Sequence, residues 1–176
     1  LIIYFLAGCM NNSVISQRKR EEPIRNIIND LKKEEKKNRS KAAGRFYKKS
    51  FAKIDYSDML EIAGILKNEN NVKIQQDLIR GMNGWIFSVE SSLELIRMVL
   101  KDKIYSEHVE VRSAAVRLLG DLGPNGKPVV PILLDNMSDP VLLVRCEKIV
   151  TLAEISKDSL KYHDQVIGFL KKSLND

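Results

Sequence analysis

Two thiols, two imidazoles and a few acidic and basic side chains are the groups of this chain with the chemistry to ligate, react or anchor. Cys9 follows eight mostly apolar residues, LIIYFLAG, and precedes the polar stretch MNNS. Cys146 lies in an apolar helical segment, where a buried and inert thiol is expected. His108 and His163 stand far apart, with no Cys or carboxylate at ligand spacing. Metal ions need clustered donors, so helix-end or surface roles are expected for both. Gly120-Asp121-Leu122-Gly123 reads as a helix end rather than a phosphate loop, and no Ser has a nucleophile-elbow context. Asp121, Asp135 and Asp139 fall near helix ends, where turns and caps use them. The expectation is therefore a chain with no catalytic residue, no metal site and no cofactor. Trp85-Ile86-Phe87 is an aromatic cluster between helices. It is either an exposed binding anchor at Trp85 or a hydrophobic closure of the core.

The elements that position these groups are read from Val109 to Gly123. Val111, Ala114, Ala115, Leu118, Leu119 and Leu122 fall on one apolar face at helical period. Gly123-Pro124 ends that helix, and a second apolar run spans Val129 to Met137, with Pro128 or Pro131 in its first turn. The helix–turn–helix unit recurs. Val111-Arg112 is echoed by Val144-Arg145 and by Val72-Lys73, and Gly81 matches Gly120. In the second helices Leu66, Leu100, Met137 and Leu170 follow at spacings of 34, 37 and 33 residues. A two-helix repeat of this length cannot bury its own apolar face, so stacked pairs must share one core. Helices are expected at 57–67, 72–83, 89–102, 108–122, 128–137, 140–156 and 161–174, after an N-terminal helix opened by Pro23 and one from about Ala43 to Ile54.

Val111-Arg112 with Ala115, Leu118, Leu119, Gly120 and Leu122, and Asp139-Pro140 followed by Val144-Arg145, resemble the HEAT-repeat family, in its short bacterial (phycobilisome-lyase) form. The resemblance implies an all-α fold: a right-handed α-solenoid of stacked antiparallel helix pairs, about four pairs. It also implies an Asp/Arg ladder along the stack. Arg112 and Arg145 match the Arg place and Asp139 the acid, whereas Lys73 and Ser106 depart from them. Glu147 and Lys148 stand where the alanines are expected, which predicts either a polar capping repeat or a rotated helix using Cys146, Ile149, Val150 and Ala153. Second helices line the concave face in such solenoids. By that resemblance Glu94, Arg97, Lys101, Asn136, Gln165 and Phe169 are candidates to meet a protein partner. The family's name brings bilin lyases to mind, but fold does not carry function, and no residues for that chemistry are found.

Leu6-Ala7-Gly8-Cys9 resembles the lipobox of bacterial lipoproteins, in which the Cys thiol receives diacylglycerol and a peptidase cuts before it. That resemblance implies a chain truncated upstream of a basic segment, a residual signal segment at 1–8 and a mature start at Cys9. A lipid on Cys9 leaves Cys146 no disulfide partner. Acyl chains on one Cys anchor stably, each buried CH₂ adding about 0.8 kcal/mol. The implied location is the bacterial cell envelope. Met10, not Asp, after the Cys favours the outer membrane in a Gram-negative cell.

Residues 9–22 then read as a tether, 23–54 as a basic N-terminal helical arm and 55–176 as the repeat domain. Residues 17–53 hold 14 Lys/Arg against 5 Asp/Glu within a net charge of +6, so the remainder is slightly acidic. Lys32 to Arg39 is charged at every place but Asn38, as a helix projecting into solvent would be, with Glu35 and Arg39 at i,i+4 spacing. A basic arm after a lipid anchor suits anionic head groups, at roughly 1 kcal/mol per charge near the surface. The functional expectation is a membrane-anchored, non-catalytic scaffold that binds protein. The alternative is an intracellular helical-repeat protein binding nucleic acid through the arm, with Phe46, Tyr47 and Phe51 among its lysines. The acidic balance of the repeats opposes a long basic track.

Overall fold

A computed structural model describes residues 22–49, 54–87, 90–135, 137–157 and 160–173. Among them are nine α-helices and no strand: α1 (Ile24–Leu31), α2 (Lys36–Lys49), α3 (Tyr56–Asn68), α4 (Val72–Gly81), α5 (Glu90–Lys103), α6 (Val109–Asp121), α7 (Val130–Asp135), α8 (Leu142–Ser156) and α9 (Leu160–Ser173). Two 3₁₀ segments, Met82–Phe87 and Gly123–Val129, link α4 to α5 and α6 to α7. The second contains Pro128 and shortens the helix expected at 128–137, leaving Pro131 in the first turn of α7. Gly123 opens that segment at φ +52°, a backbone state that glycine adopts without strain.

The helices form two rows, and each step along a row is one layer of the stack. One row is α2, α4, α6 and α8, each packed on the next. The other contains α1 on α3, α3 on α5, and α7 on α9. The two rows meet where α1 packs on α2, α3 on α4, α5 on α6, and α7 and α9 on α8, so the chain is an all-α, solenoid-like stack of about four helix pairs. The apolar stripes explain it: Ile74, Val111 and Val144 hold one place, and Phe46, Met82, Leu119 and Leu152 another, all buried. No single pair could cover these faces, and the shared core does so.

The basic segment belongs to this core. Ile27, Ile28 and Leu31 of α1, and Ala42, Ala43 and Phe46 of α2, are buried against the repeats. Lys32 to Glu35 is a turn between two helices rather than part of one projecting helix. Ion pairs tie α1 and the turn to α3, from Arg25 to Asp58 and Glu61, and from Lys32 to Glu61. Hydrogen bonds from Lys32 hold the Glu61 carboxyl below its ordinary range. Gly44 sits within α2. Gly81 and Gly120 are not equivalent. Gly81 faces the Phe46 ring of the preceding layer, where an added Cβ would collide with the ring carbons. Gly120 faces Thr151 of the following one.

Candidate partner-binding surfaces

The polar architecture of the stack is a ladder whose register starts at the helix N-termini. The residues before α2, α4, α6 and α8 are Glu35, Asn71, His108 and Val141, and four residues on stand Arg39, Gln75, Arg112 and Arg145. The equivalent of Arg112 in α4 is therefore Gln75, not Lys73, which lies on the exposed side and pairs with Asp77 at 2.6 Å. Helix starts, which set the register, are less legible in sequence than a Val-Arg or Val-Lys pair.

Each arginine turns back over its own helix start. Arg112 Nη1 donates to the carbonyls of Ser106 (2.9 Å) and Glu107 (3.0 Å). Arg39 Nη1 does the same to Lys33 (3.2 Å) and Glu34, and Arg145 Nη1 to Asp139 (2.7 Å). The remaining donors of the first two reach the next layer. Arg112 grips Asp139 with Nε (2.8 Å) and Nη2 (3.0 Å), and Arg39 Nε holds Glu69 at 2.9 Å. Both acids stand two residues before an N-cap and accept from its backbone N–H, Asn71 at 2.8 Å and Val141 at 3.0 Å. Ser106 takes the same place before α6, its hydroxyl accepting from His108 N at 3.3 Å. In that layer Gln75 instead accepts from Lys103 at 2.9 Å, and burial lowers the Lys103 amine.

Asp139 is the hub. Lys148, fully buried at the place of Leu78 and Ala115, also approaches it, at 3.3 Å. Burial pushes the Asp139 carboxyl up. The hydrogen bonds from Arg112 and Val141 N and the charge of Lys148 overcome this and bring it down to about 2. Burial lowers the Lys148 amine, and Asp139 opposes that. Glu147 takes the other alanine place and accepts from Ser113 (3.0 Å) and Arg117 (2.7 Å). So α8 is not rotated: its polar pair faces inward beside Val144, Leu152 and Ile155, and Cys146, Val150 and Ala153 face out.

That outward face bears directly on Cys146. It is exposed, not buried, because it lies on the side of α8 that no described element covers. Leu142, Cys146, Val150 and Ala153 form one stripe along the helix, and Leu142, Leu143 and Val150 are each more than half exposed. Their equivalents in α6 are Val109, Ser113, Arg117 and Gly120, the face on which α8 itself packs.

At the other end of the stack α2 is lysine-rich. Arg45 pairs with Glu22 and Asp30, and hydrogen bonds from Lys33 and Arg45 lower the Asp30 carboxyl. Lys36, Lys37, Lys41 and Lys48 are exposed and meet no carboxylate among the described residues.

The candidates on other helices fare differently. Trp85 is fully buried, edge-on to Phe46 with centroids 6.0 Å apart, and its carbonyl accepts from Ser92 at 2.9 Å. It occupies the core place of Leu122 and Ile155, so it closes the core and presents no contact surface. Its indole N–H has no acceptor among the described residues. Arg97 is a tether inside the stack: Nη1 donates to the Asn125 carbonyl at 2.9 Å, and Nη2 holds Glu94 at 2.7 Å. Glu94, Lys101 and Gln165 are exposed, on α5 and α9. Cys9, Asn136 and the side chain of Phe169 lie outside the described residues, as do Phe51 and the LAGC stretch. His108 is the N-cap of α6 without a side-chain cap bond, its ring 3.3 Å from Glu107. Among the described residues no group of three His, Cys, Asp or Glu could hold a metal ion, and no helix is long and apolar enough to cross a membrane.

No family pattern matches this sequence, and a comparison with curated proteins finds no similar chain. Among solved structures, the crystal structure of one engineered protein superposes with a TM-score of 0.62 at 16% identity, covering 84% of this chain and 69% of its own. A second engineered protein gives a TM-score of 0.59 at 14% identity, covering 82% and 67%. At such identities the likeness concerns the fold alone, and it supports the helical, solenoid-like stack.

Proposed function

We propose that this chain is a HEAT-type, non-catalytic scaffold that binds protein at the bacterial envelope, held there by a lipid on Cys9. The observation that carries the reading is the polarity of the stack. Within the row α2, α4, α6 and α8, the lysine-rich end, α2, is the helix nearest in sequence to the LAGC stretch, and the apolar end, α8, is the one furthest from it. Lys36, Lys37, Lys41 and Lys48 would rest on anionic head groups while the lipid holds the chain at the surface. The far end would then face a partner. Full-length protein expressed in a bacterium is expected in the envelope fraction, and Cys9→Ala is expected to release it. Equal partitioning of the two would refute the tether.

The same four lysines favour a second reading, a helical-repeat protein that binds nucleic acid inside the cell. α2 spans about 21 Å, and of the aromatics expected beside it Phe46 is in the core. Tyr47 is part exposed, with Arg80 stacked 5.9 Å above its ring. Salt-dependent binding of a single-stranded oligonucleotide, lost on charge reversal of Lys41 and Lys48, would support this reading over the first.

A further inference from the structure

The ladder has an open end. Arg39 and Arg112 each spend Nη1 on their own helix start and reach an acid of the next layer, Arg39 with Nε and Arg112 with Nε and Nη2. Arg145 makes the first contact, to the Asp139 carbonyl, and its Nε and Nη2 meet no acceptor among the described residues. The uncovered stripe of Leu142, Cys146, Val150 and Ala153 lies beside it on the same helix.

We infer that the α8 end of the stack binds a partner helix led by an acidic residue, which places its carboxylate on Arg145 and its apolar side on Cys146 and Val150. This rests on the scaffold reading and names the class of partner. The interior α6–α8 interface supplies the rule. There the acid stands two residues before the N-cap (Asp139), the residue eight further on meets Ser113 and Arg117 (Glu147), and the residue twelve further on abuts Gly120 (Thr151). At the open end Cys146 and Val150 replace Ser113 and Arg117, so the partner needs an apolar residue at the eighth place where Glu147 stands inside. Ala153 replaces Gly120, so the twelfth place must be small. Acid, apolar and small at 0, +8 and +12 is thus the recognition pattern.

The probe is a fluorescein-labelled, helix-stapled peptide of residues 137–157 carrying Glu147→Leu and Thr151→Ala, titrated in reducing buffer against the full chain and followed by anisotropy. Binding is expected to weaken about tenfold, or 1.4 kcal/mol, with Arg145→Gln in the protein or Asp139→Asn in the peptide. The two together should cost little more than either, because they remove one contact. Cys146→Asp, at an exposed position, should abolish binding while leaving the circular dichroism and the melting temperature of the protein unchanged. No binding, or binding indifferent to Arg145→Gln and to the peptide's Asp139→Asn, would overturn the inference. So would a dimer in sedimentation that Cys146→Asp dissociates while the peptide fails to bind, since the face would then belong to a second copy. None of these readouts uses Cys9, so failure of the tether and failure of this site are separable.

Discussion

Replacing Asp139 by Asn removes one charge from the hub of the ladder and little else. The amide keeps the size of the side chain and can still accept from Val141 N. Arg112, whose side chain is 10% exposed, and Lys148, at 0%, both lose the carboxylate they face. Breaking a buried pair from one side costs about 3–5 kcal/mol. The pKa gives an independent figure. A carboxyl held at about 2 instead of 3.8 contributes about 2.5 kcal/mol at neutral pH. The expected loss is therefore about 3 kcal/mol, read by urea denaturation followed by far-ultraviolet circular dichroism. The sign of the pH effect is fixed. The folded-state pKa lies below the unfolded one, so the contribution is complete above pH 4 and fades as the pH falls through 2. The difference between wild type and Asp139→Asn should shrink over that window. Lys148→Met should be near neutral or stabilising, because Arg112 still pairs with Asp139 and methionine fits an otherwise apolar place. A loss below 1 kcal/mol for Asp139→Asn, with a pH profile parallel to that of wild type, would refute the claim that this carboxylate holds two layers together.

Trp85 is the single tryptophan, so its fluorescence reports on the core it closes. Trp85→Phe should cost about 1–2 kcal/mol, because no indole hydrogen bond is lost, and Trp85→Ala about 3–5 kcal/mol; equal losses for the two would contradict the packing described. Gly81→Ala drives a methyl into the Phe46 ring and should destabilise by about 1–3 kcal/mol. Gly44→Ala, which meets nothing within 4 Å, should stabilise by roughly 0.5–1 kcal/mol through helix propensity. Thermal melts of both glycine variants should therefore move in opposite directions.

Apolar periodicity carried most of the architecture, because stripes at 3.6-residue spacing are written directly in side-chain type. Helices α3 to α6, α8 and α9 fall within a few residues of their expected places. Register was harder. Val72-Lys73 looks like Val111-Arg112, yet the N-caps align Gln75 with Arg112, and caps such as His108 and Val141 carry no side-chain signal of their own. Lys148 at an alanine place reads in sequence as a reason to rotate α8. The position of Asp139, 27 residues after Arg112 and before the next helix, gives the buried amine a carboxylate. Cys146 shows the converse: an apolar neighbourhood in sequence implies burial only if another element covers that face. Arg97 carries no sequence mark that separates a partner contact from a tether to the Asn125 carbonyl.

The proposed function rests on a lipid tether at the basic end of the stack. Intact mass of the full-length product, purified from a bacterium and partitioned in detergent, tests it most directly. The expected result is a chain that starts at Cys9, carries the added mass of a diacylglyceryl group and enters the detergent phase. An unprocessed chain that stays in the aqueous phase would contradict the tether and bring the nucleic-acid reading of α2 forward.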